Sequence, residues 1–317
     1  MLTFPVAPPV RDARPAYRPF RATVAKVQRL TPHFTRVTFT GEDLHCFGTD
    51  RRDQRVKIVF PIEGVGISDF GCDSAEVLAA GTWYAKWREL PDGLRNPFRT
   101  YTIRDVRPEA QEVDVDFVAH GDGGPAAHWL LSAAPGDEVV LVGPDAQSID
   151  SSVGIDFHPG EAREVLLAGD ETAAPAICAI VETLPDGVTA RAFIEVPTAD
   201  DVLPVARNAE SITWLARDRA AHGARLEPTV NQWVADNPDS WMSAHVDVWQ
   251  PVPDTDVDSE LIWDSPEDAP GSPFYAWLAG EAAVIKRLRR LLVTQTGIDR
   301  RRVAFMGYWR LGRPEAQ

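Results

Sequence analysis

The sequence predicts two lobes: an antiparallel β-barrel, then an α/β unit built on a parallel sheet. Three observations predict it. The first half is a run of short, β-favouring segments separated by Gly, Pro and Asp. From residue 164 onward, continuous apolar strands alternate with helical stretches, the pattern of parallel strands joined by helical crossovers. Between the two lies a Ser-, Gly- and Pro-rich stretch over 145–163. A chain of 317 residues suits two domains, and the boundaries fall at 16–148 for the barrel, 149–163 for the link and 164–317 for the α/β unit.

Within the barrel, Phe20–Val27 alternates loosely, and Phe34–Thr40 alternates with β-branched residues before stopping at Gly41. Arg55–Phe60 stops at Pro61, and residues 62–98 read as an irregular excursion. Arg99–Arg104 and Glu112–Ala119 are further strands, the latter placing Val113, Val115 and Phe117 on one face. Ala126, Trp129, Leu130 and Ala133 recur at helical spacing, with Pro125 suited to the first turn and Pro135-Gly136 ending the helix. Glu138–Val142 is the last strand of this lobe. Several short strands and one helix suit closure into a barrel. In the second lobe, strands are expected at Glu164–Gly169, Thr189–Val196, Ser211–Arg217, Phe274–Gly280 and Arg302–Trp309. Helices are expected around Ala176–Leu184, Pro228–Asn237 and Glu281–Thr296, with an acidic solvated loop over 251–272.

Net charge is −15, which disfavours nucleic acid and anionic lipid as partners. The three cysteines, Cys46, Cys72 and Cys178, are scattered, so reduced thiols and a cytoplasmic location are expected, and no Cys-ligated iron–sulfur cluster. There is no signal-peptide core and no apolar run of membrane-spanning length. No protein metal site is expected, since the seven histidines form no H-x-x-x-H pair.

Two segments carry the chemistry. On the Arg99–Arg104 strand, Arg99 and Tyr101 share a face and Thr102 takes the other. Arg99 is suited to clamp a phosphate, Tyr101 to lie against a flat ring, and Thr102 to hydrogen-bond a redox-active ring nitrogen. Twenty residues on, His120-Gly121-Asp122-Gly123-Gly124-Pro125-Ala126 joins a strand to a helix. Its glycines let backbone amides approach a phosphate, and the helix start adds positive potential. Together they read as a cradle for a flavin dinucleotide such as FAD, with His120 a neighbour of the ring or ribityl chain.

These segments, with Trp129, Gly143-Pro144, Gly169-Asp170-Glu171-Thr172, Gly280-Glu281 and Gly307-Tyr308-Trp309-Arg310-Leu311-Gly312, occur in order over about residues 16–313. The chain thereby resembles the siderophore-interacting proteins, or ferric-siderophore reductases, within the ferredoxin-reductase-like flavoproteins. The resemblance implies FAD on a six-stranded Greek-key barrel and an NAD(P)-binding α/β domain. It implies reduction of siderophore-held iron by an oxidoreductase fed by NADH or NADPH, or by a ferredoxin; the alternatives are a flavin oxidoreductase that exchanges electrons with a protein, and a non-catalytic flavin- or siderophore-binding protein. One departure is that Asp145-Ala146-Gln147-Ser148 follows Gly143-Pro144 where the family often has a small pair.

In the second lobe, Gly169, Asp170, Glu171 and Thr172 close a strand before a helix, with Thr172 as the expected N-cap facing a pyrophosphate. Glu195, ending the next strand, is expected to bind a ribose hydroxyl. Gly280 and Glu281 are expected to bring backbone near a nicotinamide, as in related reductases. Trp309 is expected to cover the flavin ring. Lys57, a lone charge in an apolar strand, and Arg310 are the expected anchors for an oxygen-liganded, negatively charged iron complex.

Overall fold

The computed structural model describes residues 10–48, 50–119, 124–250, 262–266 and 271–312. His120, Gly121, Asp122 and Gly123, and most of the acidic 251–272 stretch, lie outside the described residues.

The first lobe is one antiparallel sheet. Its strands are β1 (Tyr17–Arg29), β2 (Phe34–Thr40), β3 (Arg55–Val59), β4 (Phe98–Thr102), β5 (Asp105–Arg107), β6 (Glu112–Val118) and β7 (Glu138–Pro144). They lie in the order β4-β3-β7-β1-β2-β6-β5. The three-residue β5 makes this seven strands where six were expected. It is too short to leave a periodic signal, and it extends the sheet beyond β6. The sheet curls on itself. Tyr101 of β4 packs against Phe117 of β6 with ring centroids 4.4 Å apart. The Arg104 amide, just past β4, donates to the Asp114 carbonyl on β6 at 2.9 Å. The inward positions predicted by alternation (Phe39, Val56, Ile58, Val113, Val115) form the core. Helix α3 (Pro125–Ser132), third along the chain, plugs one opening with Ala126, Trp129 and Leu130.

Residues 62–98 are not wholly irregular. They hold α1 (Ala75–Ala80) and α2 (Trp83–Glu89), which pack Val77, Trp83 and Trp87 onto the outer barrel face at Val59, Phe98 and Val142. Ser74 caps α1 and Gly81, in the left-handed region, ends it.

The second lobe has strands β8 (Glu164–Gly169), β9 (Thr189–Val196), β10 (Ile212–Ala216), β11 (Trp263–Asp264), β12 (Phe274–Glu281) and β13 (Val303–Trp309). Their order is β10-β9-β8-β12-β13-β11, parallel except for the edge strand β11. Helix α4 (Ala174–Thr183) covers one face. Helices α5 (Leu226–Asp236) and α7 (Ala282–Arg289) cover the other, with the short α6 (Pro238–Trp241) beside them. Every residue of β12 is buried, as a central parallel strand requires. After α7 the chain continues as a π-helical stretch over Arg290–Gln295. Among the described residues no helix is long and apolar enough to cross a membrane.

The link is not a loose tether. Ile155 and Phe157 are buried in the α/β core, and Gln54 of the first lobe donates to the Ser151 carbonyl at 2.7 Å. Three polar contacts bind the lobes directly. Arg104 forms a bidentate pair with Glu182 at 2.7 and 2.8 Å. Thr31 and His33 bond Asp201. Asp53, fully buried, accepts from the amides of Asp156 and Phe157 and from the Trp277 indole at 2.9 Å.

Candidate functional site

On the barrel, β3 and β4 pair with Ile58 opposite Arg99 and Val56 opposite Tyr101. This register puts Arg99 and Tyr101 on the face toward α3. The Arg99 Nη1 donates to the Phe98 carbonyl at 2.7 Å, which fixes the base of the guanidinium fork. Gly124 ends the turn before α3 with φ of 125°. A Cβ there would stand 3.9 Å from Arg99 Nη2, so the turn and the cation are neighbours. No side chain caps α3, and Pro125 at its first position contributes no amide. An uncapped helix start beside a guanidinium is a phosphate-binding arrangement. Half-buried Tyr101 supplies a flat surface next to it. Thr102 follows on the opposite face and is nine-tenths buried. This donor set fits a flavin dinucleotide.

Lys57 lies elsewhere. Its Nζ donates to Thr100 Oγ1 at 3.2 Å and stands 5.0 Å from the Phe98 ring centroid. It is therefore on the face opposite Arg99 and Tyr101. Asp145, the departure after Gly143-Pro144, is buried and pairs with Arg18 at 3.0 Å, a role in holding the end of β7 to β1.

At the carboxyl ends of β8, β12 and β13 the structure brings Asp170, Glu171, Thr172, Gly280, Glu281 and Trp309 together, but in roles the sequence did not announce. Asp170 is the hub. Its Oδ1 accepts from the Thr172 amide at 2.9 Å and hydroxyl at 2.5 Å. Its Oδ2 accepts from the Glu281 amide and the Trp309 indole, both at 2.8 Å. Burial and the neighbouring Glu171 charge push the Asp170 carboxyl up, while the Thr172 and Trp309 hydrogen bonds oppose them. Thr172 is thus spent on Asp170 and is not the N-cap of α4; that place falls to Ala173, which offers no capping side chain. Gly169 is small because a Cβ would meet the Ala173 Cβ and the Ala279 carbonyl, each at 2.5 Å. Gly280 is Gly because its φ is 148° and a Cβ would fall 2.7 Å from Asp170 Oδ2.

Glu195 corrects a further expectation. It is fully buried, and its carboxylate accepts from the amides of Gly223, Arg225 and Leu226 at 2.8–2.9 Å. It anchors the loop entering α5 instead of waiting for a ribose. Glu281 caps α7 through the amides of Ala283 and Val284. Glu171 makes a buried bidentate pair with Arg217 at 2.5 Å. Burial depresses Arg217, but the Glu171 pair more than offsets it. Trp309 meets the His222 ring edge-on with centroids 4.8 Å apart, and half-buried Arg310 follows it. His222 and Arg217 escaped the sequence reading, because the loop carrying them has no spacing that points back to β8. Asp170, Glu171 and His222 place ligand-type atoms within 4.8 Å of one another. Asp170 nevertheless accepts four hydrogen bonds and Glu171 is bound to Arg217, so these carboxylates are already committed.

The comparisons with known proteins follow the same two-lobe division. A family model for the siderophore-interacting FAD-binding domain matches residues 23–148, and one for siderophore-interacting proteins matches 162–312. The protein Rv2895c of Mycobacterium tuberculosis is 31% identical, covering 95% of this chain and 93% of its own. This chain belongs to the siderophore-interacting protein family. Within reach of it is the ferric vibriobactin reductase ViuB of Vibrio cholerae, 27% identical over 90% of this chain and 87% of that one. Among solved structures, the siderophore-interacting protein SipS of Aeromonas hydrophila superposes with a TM-score of 0.63 at 26% identity, covering 95% of this chain and 94% of its own. The barrel that holds Arg99, Tyr101 and Gly124 is thus a FAD-binding domain by family.

Proposed function

We propose that this chain is a FAD-dependent oxidoreductase that reduces iron(III) held by a siderophore, so that iron leaves as Fe(II). The observation that carries the proposal is the meeting of Arg99 with Gly124 and the uncapped head of α3. Kinship with a ferric vibriobactin reductase supports the substrate class. Bound there, FAD supplies a carrier that accepts two electrons and passes them on singly. The chain's own residues bind and orient. Arg99 and the α3 amides hold the pyrophosphate, with Gly124, Pro125 and Ala126 shaping the approach. Tyr101 supports the ring, and Thr102 bonds its edge. Trp309, pinned by Asp170, offers a second aromatic surface. Arg310, next to Trp309, attracts an anionic, oxygen-liganded complex; Lys57, on the barrel face opposite Arg99 and Tyr101, is left out of this arrangement. Each Fe(III) takes one electron, and the softer Fe(II) binds hard oxygen donors less tightly, which drives release.

The test is direct. Purified protein should show flavin absorbance. After reduction by dithionite under argon, adding a ferric siderophore should restore the oxidised flavin spectrum, with Fe(II) captured by a coloured chelator at two per flavin. Reoxidation by a protein acceptor alone would replace this reading with that of an electron-transfer reductase, and colourless protein would end it.

A further inference from the structure

The face of β4 that holds Thr102 also meets a cation that the proposed function leaves unused. Cross-strand partners in an antiparallel pair point to the same side. The register of β3 on β4 sets Arg55 opposite Thr102 and Lys57 opposite Thr100. Lys57 is drawn to the Thr100 hydroxyl and the Phe98 ring, so Arg55 is the cation in step with Thr102. The pairing runs on past them, for the Ile103 amide donates to the Gln54 carbonyl at 2.9 Å.

The second lobe fixes where Arg55 stands. Its guanidinium lies over the Trp263 ring, 4.7 Å from the centroid. Trp263 stacks in turn on Tyr308, with centroids 5.9 Å apart. Arg55 therefore lies between Thr102 on the barrel and the Tyr308-Trp309 end of β13, the two segments expected at the flavin ring. Two acids face it. Asp156 Oδ2 is 3.6 Å from Nη2, a charge contact longer than a direct hydrogen bond. Asp53 adjoins Asp156 and accepts from its amide at 3.0 Å. Arg55 Nε reaches only the Gly154 carbonyl, at 3.4 Å, and Nη1 makes no hydrogen bond among the described residues. The cation is held in place by a ring and only partly answered by charge.

A flavin ring takes up negative charge when it is reduced, and a fixed charge near it tunes how readily that happens. We infer that Arg55 favours the reduced flavin by standing beside Thr102, and that Asp156 sets how much of its positive charge the ring feels. This rests on the flavin reading above and adds to it a residue that acts through its field.

The experiment measures the midpoint potential of the bound flavin, by equilibration with a reference dye, in the parent and three variants. Arg55→Met should weaken reduced-flavin binding roughly tenfold relative to oxidised, a fall of about 30 mV for the two-electron couple. Arg55→Lys keeps the charge and should stay near the parent. Asp156→Asn removes the opposing acid and should raise the potential. The spectrum of the reduced flavin gives a second readout: in Arg55→Met its change from neutral to anionic form should move up by about one pH unit, the same tenfold. A purely structural role would not move Arg55→Met and Asp156→Asn in opposite directions. An unmoved potential in Arg55→Met, or a fall in Asp156→Asn, would overturn the inference. Colourless protein would end it together with the proposed function. A flavin that ferric siderophore reoxidises, but whose potential ignores Arg55, would end this inference alone.

Discussion

Both lobes place a glycine turn between a strand and a helix, yet the two turns face opposite charges. At the barrel, Gly124 opens an uncapped α3 toward the Arg99 guanidinium. In the second lobe, the corresponding place is answered by the Asp170 carboxylate, which takes up the Thr172 and Glu281 amides. A strand–glycine–helix turn is therefore not in itself an anion site. What decides is whether a cation or a carboxylate stands opposite and whether the amides are already spent. One turn is left poised for a ligand, and the other is closed by the chain's own acid.

The largest expected effect comes from the closed side. Arg217→Met leaves Glu171 buried without its partner, and breaking a buried pair in this way costs ~3–5 kcal/mol. Urea unfolding should show that loss; a change below ~1 kcal/mol would mean Glu171 is neutral or hydrated. Next is Gly280→Ala, which adds strain at a φ of 148° to a Cβ 2.7 Å from Asp170 Oδ2. A cost of about 2–3 kcal/mol is expected. In the double variant with Asp170→Ala the two costs should not add, because the clash has lost one partner. Additive costs would detach Gly280 from Asp170.

On the open side, Arg99→Ala should leave the urea midpoint unchanged while weakening FAD retention roughly 10- to 100-fold, the worth of a charge-assisted hydrogen bond or two. Equilibrium dialysis of the flavin measures it. Undiminished retention would remove Arg99 from the cradle and with it the contrast between the lobes.

How much of this was legible depended on how local its cause was. The strands β2, β8 and β9 fall on the expected residues because alternation or an unbroken apolar run marks them from end to end. The Arg99 strand and the α3 turn were singled out together from residue types and order, and the structure makes Arg99 and Gly124 neighbours. Helices α1 and α2 were missed because six or seven residues make fewer than two turns of pattern, and Trp83 and Trp87 anchor them through the barrel wall. Glu195 was misread because its partners are the amides of Gly223, Arg225 and Leu226, which only the folded α5 entry brings to it. Asp170 was named for its motif, but its bond to Trp309 spans 139 residues, and no spacing rule foretells it.

The last expected effect, a slope against pH, tests the seam that holds the two lobes in register. Asp53 is fully buried between them, and burial, with the nearby Asp156 charge, pushes its carboxyl up from 3.8 to about 6. The folded protein therefore holds a proton there that the unfolded chain releases near pH 4. Between those values the native state binds more protons, so stability falls as pH rises. Above the folded value the penalty is complete, and the ionised carboxylate is kept in place by the Trp277 indole and two amides. Asp53→Asn cannot ionise, so its stability should lack the decline across pH 4–6 that this residue gives the parent. The absolute stability of the variant is a poor guide, since its amide nitrogen would confront N–H donors that the carboxylate accepts. The slope is the readout. Urea midpoints taken at intervals from pH 4 to pH 7 should give a difference between parent and variant that changes steadily to about pH 6 and then levels. A pH-independent difference would place Asp53 in ordinary aspartate surroundings and leave the seam to Arg104–Glu182 and the Asp201 contacts alone.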